Sequence, residues 1–158
     1  MRRSHSHLAL TAFTVFLFAV ALSGTARAAS CSINAVGAVA FGVYDYLNPN
    51  PTDSAGTITY TCTGPGGLLG GSAVVTLSQG SSGTYAQRTM LSGANVLWYN
   101  VYTDAARTRV WGDSTGGTFV GLAPVAKNAS LPVYGRMPPG QNVASGSYSD
   151  TLTVTFFF

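Results

Sequence analysis

The sequence predicts an all-β sandwich. After residue 28 no apolar pattern of period 3.6 runs for three turns, and short alternating stretches rich in Val, Thr and Tyr recur between breaks that carry Gly or Pro. The last stretch, residues 146–158, reads G-S-Y-S-D-T-L-T-V-T-F-F-F. Its even positions are Tyr148, Asp150, Leu152, Val154, Phe156 and Phe158, and its odd ones Ser149, Thr151, Thr153, Thr155 and Phe157. One face is thus largely apolar and the other largely threonine, the period of a strand. Three consecutive phenylalanines need a cover, from the molecule itself or from outside.

Taken in order, residues 32–36 and 39–43 read as a first strand broken at Gly37, and residues 44–55, with Pro49, Pro51 and Asp53, as a loop. Residues 57–62 alternate and place Ile58, Tyr60 and Cys62 on one face. The glycines of residues 63–72 mark a flexible loop before a strand at 73–77, and another loop at 80–85 precedes a short strand at 88–91. Residues 97–102, L-W-Y-N-V-Y, are the densest β former; both faces carry aromatics, as in a central strand. Asp104 caps a turn over 103–108, followed by short strands at 109–111, 118–122 and 131–135. With the terminal stretch this makes about eight strands at sandwich spacing. No internal repeat or linker divides them.

Residues 1–28 read as a secretory signal peptide: Arg2 and Arg3, an apolar run over 8–22, and the small-x-small pattern Ala26-Arg27-Ala28. A membrane anchor is the rival, opposed by the short run, its breaks at Thr11 and Thr14, and the cleavage pattern. Lipidation at Cys31 lacks the leucine that a lipoprotein signal places before the cysteine. The expected mature domain is residues 29–158, with no membrane span.

Removal of that leader takes Arg2, Arg3 and Arg27 with it and leaves Arg88, Arg107, Arg109, Lys127 and Arg136 against Asp45, Asp53, Asp104, Asp113 and Asp150. No basic surplus then points to nucleic acid. Both histidines, His5 and His7, also lie in the leader, and the remainder has no glutamate. Histidine-based triads and histidine metal sites are therefore excluded, no catalytic residue, metal or cofactor is assigned, and an enzyme is disfavoured. Cys31 and Cys62 are the only cysteines, and an even pair in an exported chain reads as a disulfide. Closing a loop of about thirty residues, it contributes roughly 3–4 kcal/mol on the chain-entropy model.

C-S-I-N-A-V-G-A-V-A-F-G-V-Y-D at residues 31–45, T-Y-T-C at 59–62, L-W-Y-N-V-Y-T-D-A-A-R-T-R-V-W-G-D at 97–113, P-V-Y-G-R at 132–136 and G-S-Y-S-D-T-L-T-V-T-F at 146–156 together resemble the spore coat protein U domain. That family includes subunits of archaic, Csu-type chaperone-usher pili. The resemblance implies an immunoglobulin-like β-sandwich lacking its final strand. Its groove, lined or bordered by Tyr148, Leu152, Val154, Phe156 and Phe158, would be filled first by a periplasmic chaperone and then, at an outer-membrane usher, by another pilus subunit. It further implies passage through the periplasm to a surface pilus, with roles in adhesion and biofilm. A free-edged terminal strand with an apolar face is a template for such strand addition. Read without the family, the same pattern also fits the last core strand of a complete sandwich.

In one respect the chain departs from fibre-forming members: after the expected cut only Ala29 and Ser30 precede Cys31, too little for a donor extension. Such a chain accepts a strand without giving one, which suits a fibre tip, a terminator or a coat protein. Leu68 and Leu69, set among glycines, are a candidate adhesive loop, or else tuck back onto the sandwich. Asp104, Arg107 and Asp113 read as turn-capping and ion-pairing groups, and Trp98, Tyr99, Tyr102 and Trp111 as packing rather than a sugar platform. The alternatives to a pilus subunit are a self-contained secreted coat or matrix protein and a carbohydrate-binding module.

Overall fold

The computed structural model describes residues 30–64 and 70–157. The leader, Leu68, Leu69 and Phe158 therefore lie outside the described residues. Among the described residues, eight strands form two antiparallel sheets: β1 (Ser30–Gly37), β2 (Thr52–Thr63), β3 (Ser72–Leu77), β4 (Arg88–Ser92), β5 (Asn95–Tyr102), β6 (Gly121–Pro124), β7 (Ala129–Met137) and β8 (Val154–Phe157). The larger sheet has the order β1-β2-β7-β5-β4 and the smaller β6-β3-β8. The expected all-β class is the observed one.

Alternation decides which side of each strand meets the core. On β2, Ile58, Tyr60 and Cys62 are buried, as the sequence pattern requires; on β5 the inward row is Leu97, Tyr99 and Val101. Ala73, Val75 and Leu77 of β3 and Ala123 of β6 close the core from the other sheet. Trp111 is fully buried between the sheets, where its indole Nε1–H donates to Val75 O at 2.9 Å. Cys31 pairs with Cys62 in the β1–β2 register, and the two form a disulfide. As a centre-sheet strand, β5 runs between β7 and β4. The ladder of β5 on β7 ends where Pro138 and Pro139 remove backbone donors, and the Gln141 side chain takes over, accepting from Trp98 N at 2.7 Å and donating to Trp98 O at 3.0 Å.

Several elements differ from the sequence expectation. Residues 39–43 are no strand: Val39 and Phe41 leave the sheet plane and cover its inner face at Gly56 and Gly135. The loop expected over 44–55 is shorter, because β2 already starts at Thr52, where Asp53 is held by Arg136 across the β2–β7 pair. Residues 109–111 and 118–119 make only single bridges, Tyr102 with Val110 and Trp111 with Phe119, since the chain turns over the sandwich end there; β6 begins only at Gly121. Gly80–Ser82 forms one 3-10 turn within the expected loop.

The terminal stretch keeps its period of two throughout. Tyr148, Asp150, Leu152, Val154 and Phe156 are half-buried and the residues between them exposed, yet only Val154–Phe157 is ladder-paired, to β3. Upstream, Ser149 exchanges two backbone bonds with Leu91 at the β4 edge. Between these anchors Thr153 still bonds Ser78, just past the end of β3, and the Asp150 carboxylate, in the same inward row, accepts from Ser81 N at 2.9 Å, Ser81 Oγ at 2.6 Å and Tyr99 Oη at 2.7 Å.

Candidate functional groove

A groove of about 380 Å³ opens between residues 36–41 and residues 148–154. Both walls follow from local sequence. Gly56 and Gly135 interrupt otherwise well-formed strands, and isolated glycines in a strand mark a close backbone approach. A Cβ on Gly135 would overlap Val39 Cγ1 and come within 2.7 Å of Phe41 Cζ, and one on Gly56 would overlap Gly37 O. The absent side chains are what lets residues 37–41 lie on the sheet. Phe41 then meets Tyr99 edge-on, with ring centroids 6.0 Å apart. Opposite stand Tyr148, Leu152 and Val154; buried Ile58, Leu77 and Val101 form the floor, so the groove reaches the core.

Among the described residues, the backbones of Val39, Phe41 and Leu152 have no main-chain hydrogen-bond partner. An apolar slot with unpaired main chain on both flanks fits an extended peptide, whose amides bond the walls while alternate side chains enter the floor. Of the residues expected at a groove, Tyr148, Leu152 and Val154 line this one. Phe156 sits further along and packs on Tyr60, with centroids 5.2 Å apart.

Two polar groups whose partners the sequence did not reveal stand at the groove, Arg88 behind it and Tyr99 in its lining. Arg88 is fully buried, donating to Ser78 O, Asn100 Oδ1 and Trp111 O with Nε and both Nη atoms, at 2.7–3.1 Å, under the Tyr85 ring at 5.2 Å. Burial lowers its guanidinium pKa from the usual value. The Tyr99 hydroxyl, which lines the groove, is pushed well up, first by burial and then by its bond to Asp150. An arginine between a turn and a strand carries no mark of burial in sequence; the alternation of Arg88 with Met90, both inward, was the available signal.

Elsewhere the structure separates what the sequence grouped. Asp104 caps its own turn through Thr108 N and Arg109 N, and Asp113 accepts from Thr115, while Arg107 turns away to Asp53 at 3.2 Å. Arg136 binds Asp53 through two bonds of 2.7 and 2.8 Å. Those bonds, more than the Arg107 charge, hold the Asp53 carboxyl below its ordinary value. Of the aromatics, Trp111 and Tyr99 are core, whereas Trp98 is 46% exposed and lies opposite Thr89 across the strand pair.

The fold and groove define a class: a two-sheet antiparallel β module stapled near its start, with an apolar slot beside its last strand. The sequence model of the Spore Coat Protein U domain matches residues 14–155, and the chain belongs to that family. It is 35% identical over 148 residues to Protein U of Myxococcus xanthus, covering 82% of this chain and 78% of that protein. Among solved structures it resembles a chain of the CsuC–CsuE chaperone–tip adhesion subunit pre-assembly complex from the archaic chaperone-usher Csu pili of Acinetobacter baumannii, with a TM-score of 0.55 and 23% identity. That match covers 83% of this chain and 40% of the other, and the likeness is one of fold.

Proposed function

We propose that this chain is an exported structural subunit of a chaperone-usher surface fibre, and that its groove is the acceptor for a donated β-strand. The observation that carries the reading is the slot itself: an apolar floor that reaches Ile58, Leu77 and Val101, between two extended backbones with unpaired main chain at Val39, Phe41 and Leu152. A periplasmic chaperone supplies the first strand and another subunit, at an outer-membrane usher, its replacement. Tyr148, Leu152 and Val154 contact the incoming side chains. Phe156 continues the same row past the slot. The leader-like residues 1–28 suit export to the periplasm, and the product is a fibre at the cell surface serving adhesion and biofilm growth.

The test is thermal unfolding of the periplasmically produced chain, alone and after co-expression with a chaperone of the archaic chaperone-usher class. A chain that aggregates alone but forms a soluble one-to-one complex supports the reading. A stable, cooperative monomer that ignores the chaperone refutes it and leaves a self-contained coat or matrix protein of the same fold.

A further inference from the structure

The two walls of the groove are held very differently. In residues 148–154, Ser149 exchanges two backbone bonds with Leu91, Thr153 N donates to Ser78 Oγ and Thr153 O accepts from Ser78 N, and the Asp150 carboxylate holds Ser81 and Tyr99. The opposite wall is residues 38–41, A-V-A-F, set between Gly37 and Gly42. Among the described residues its backbone makes one hydrogen bond, accepted by Ala40 O from Ser54 Oγ at 2.6 Å, and none to main chain. What keeps this wall down is Val39 and Phe41, half-buried over Gly56, Gly135 and Tyr99, while Ala38 and Ala40 are exposed.

Both ends of the segment are built to turn. Gly37 is the last residue of β1 laddered to β2, opposite Thr57. Gly42 sits at φ +73°, in the left-handed region, with open space where a Cβ would be. Beyond it the chain is pinned again by the Tyr44 hydroxyl, which donates to Pro138 O at 2.7 Å and accepts from Gln141 N at 2.9 Å. At about 380 Å³ the slot is at the low end of what a drug-sized ligand occupies. A strand running the length of residues 148–154 is a larger guest, so a wall moves as it enters, and the weakly tied wall is the one that can.

We infer that residues 38–41 are a hinged lid, which turns about Gly37 and Gly42 and lifts Val39 and Phe41 off the floor to admit a donated strand. Its purpose rests on strand acceptance at this groove; its motion does not. Closed, the lid covers Gly135 and Gly56 and shields their cross-strand partners, the buried floor residues Val101 and Val133. Open, it uncovers that floor and presents the free main chain of Val39 and Phe41 for pairing. Two side chains and one bond hold it, so its opening is a local event that leaves both sheets standing. Affinity for a strand is then reduced by the fraction of chains that are closed.

The test of motion uses the purified full chain with its native disulfide intact, dilute and without any donor strand. V101C places a thiol in the floor beside Gly135, and labelling by N-ethylmaleimide reads its exposure. The expected rate is nearly independent of low urea, because a local opening exposes little surface, and rises about fivefold in S54A, which removes the one hydrogen bond. T59A removes a comparable bond outside the lid, from Thr59 Oγ1 to Ala35 O, and leaves the rate unchanged. A rate that climbs with urea as steeply as global unfolding would overturn the lid, as would equal acceleration by S54A and T59A. The test of gating uses V39C/G135C co-expressed with a chaperone of the archaic chaperone-usher class. Val39 Cγ1 lies where a Gly135 Cβ would be, which brings the two Cβ atoms within the about 4 Å that a disulfide spans. The oxidised pair should lose the chaperone that V39C alone co-purifies, and equal capture of the two would overturn the gate. Capture of neither refutes strand acceptance, while the labelling, which needs no donor, still decides the lid.

Discussion

Replacing Gly135 with alanine tests whether Val39 and Phe41 form the groove wall. The new Cβ would overlap Val39 Cγ1 and approach Phe41 Cζ to 2.7 Å, so the wall must shift. Overpacking of this kind costs about 1–3 kcal/mol, offset by about 0.4–1 kcal/mol from the narrower unfolded ensemble of alanine, for a net loss of about 1–2 kcal/mol. V39A alone removes two half-buried methyl groups, a loss of about 1–2 kcal/mol. Independent effects would sum to about 2–4 kcal/mol. V39A removes the tighter contact and leaves the 2.7 Å approach to Phe41 Cζ, so the double variant should lose less than that sum, a favourable coupling of about 1 kcal/mol. Urea denaturation of the disulfide-intact chain, followed by tryptophan fluorescence, measures all four corners of the cycle. Strict additivity would refute the placement of Val39 over Gly135.

Changing Cys31 and Cys62 together to serine should lower unfolding free energy by about 3–4 kcal/mol, read as a lower urea midpoint. R88M leaves Ser78 O, Asn100 Oδ1 and Trp111 O without their donor and should cost about 3–5 kcal/mol; an unchanged melting temperature would contradict the buried network. L152E places a carboxylate in the apolar slot and should abolish capture by the chaperone, measured by co-purification, with unchanged circular dichroism excluding simple unfolding. Because the Asp53 pKa is depressed in the fold, its contribution is present above its unfolded value of about 3.8 and is lost as pH falls through the lower folded value. D53N should therefore flatten the melting temperature against pH in that acid range.

The sheets were legible wherever alternation alone decides burial. Ile58, Tyr60 and Cys62, the row Leu97, Tyr99 and Val101, and the half-buried row from Tyr148 to Phe156 all follow from a period of two. The β1–β2 staple was legible too, since a chain with a single cysteine pair has one intramolecular choice. Less accessible were features set by contacts distant in sequence. Residues 39–43 alternate as a strand does, and only the glycines at 56 and 135 reveal that this segment lies across a sheet. The apolar pattern likewise hides where the terminal strand stops pairing, because that is set by where β3 ends, at Leu77 opposite Val154. Arg107 was placed correctly as a pairing residue, but Asp53, 54 positions earlier, could not be named as its partner from a turn motif alone.

The last strand is tied to both sheets, to β4 through Ser149 and to β3 through residues 154–157. A tensile load applied along it is therefore carried in shear by two sheets at once, at anchors on either side of the open slot. Under such a load, resistance is governed by the rate of unfolding rather than by equilibrium stability. Neither sheet can slide without the strap dragging on the other, so this short crossing gives the module a mechanical grip that its four-residue ladder alone would not provide.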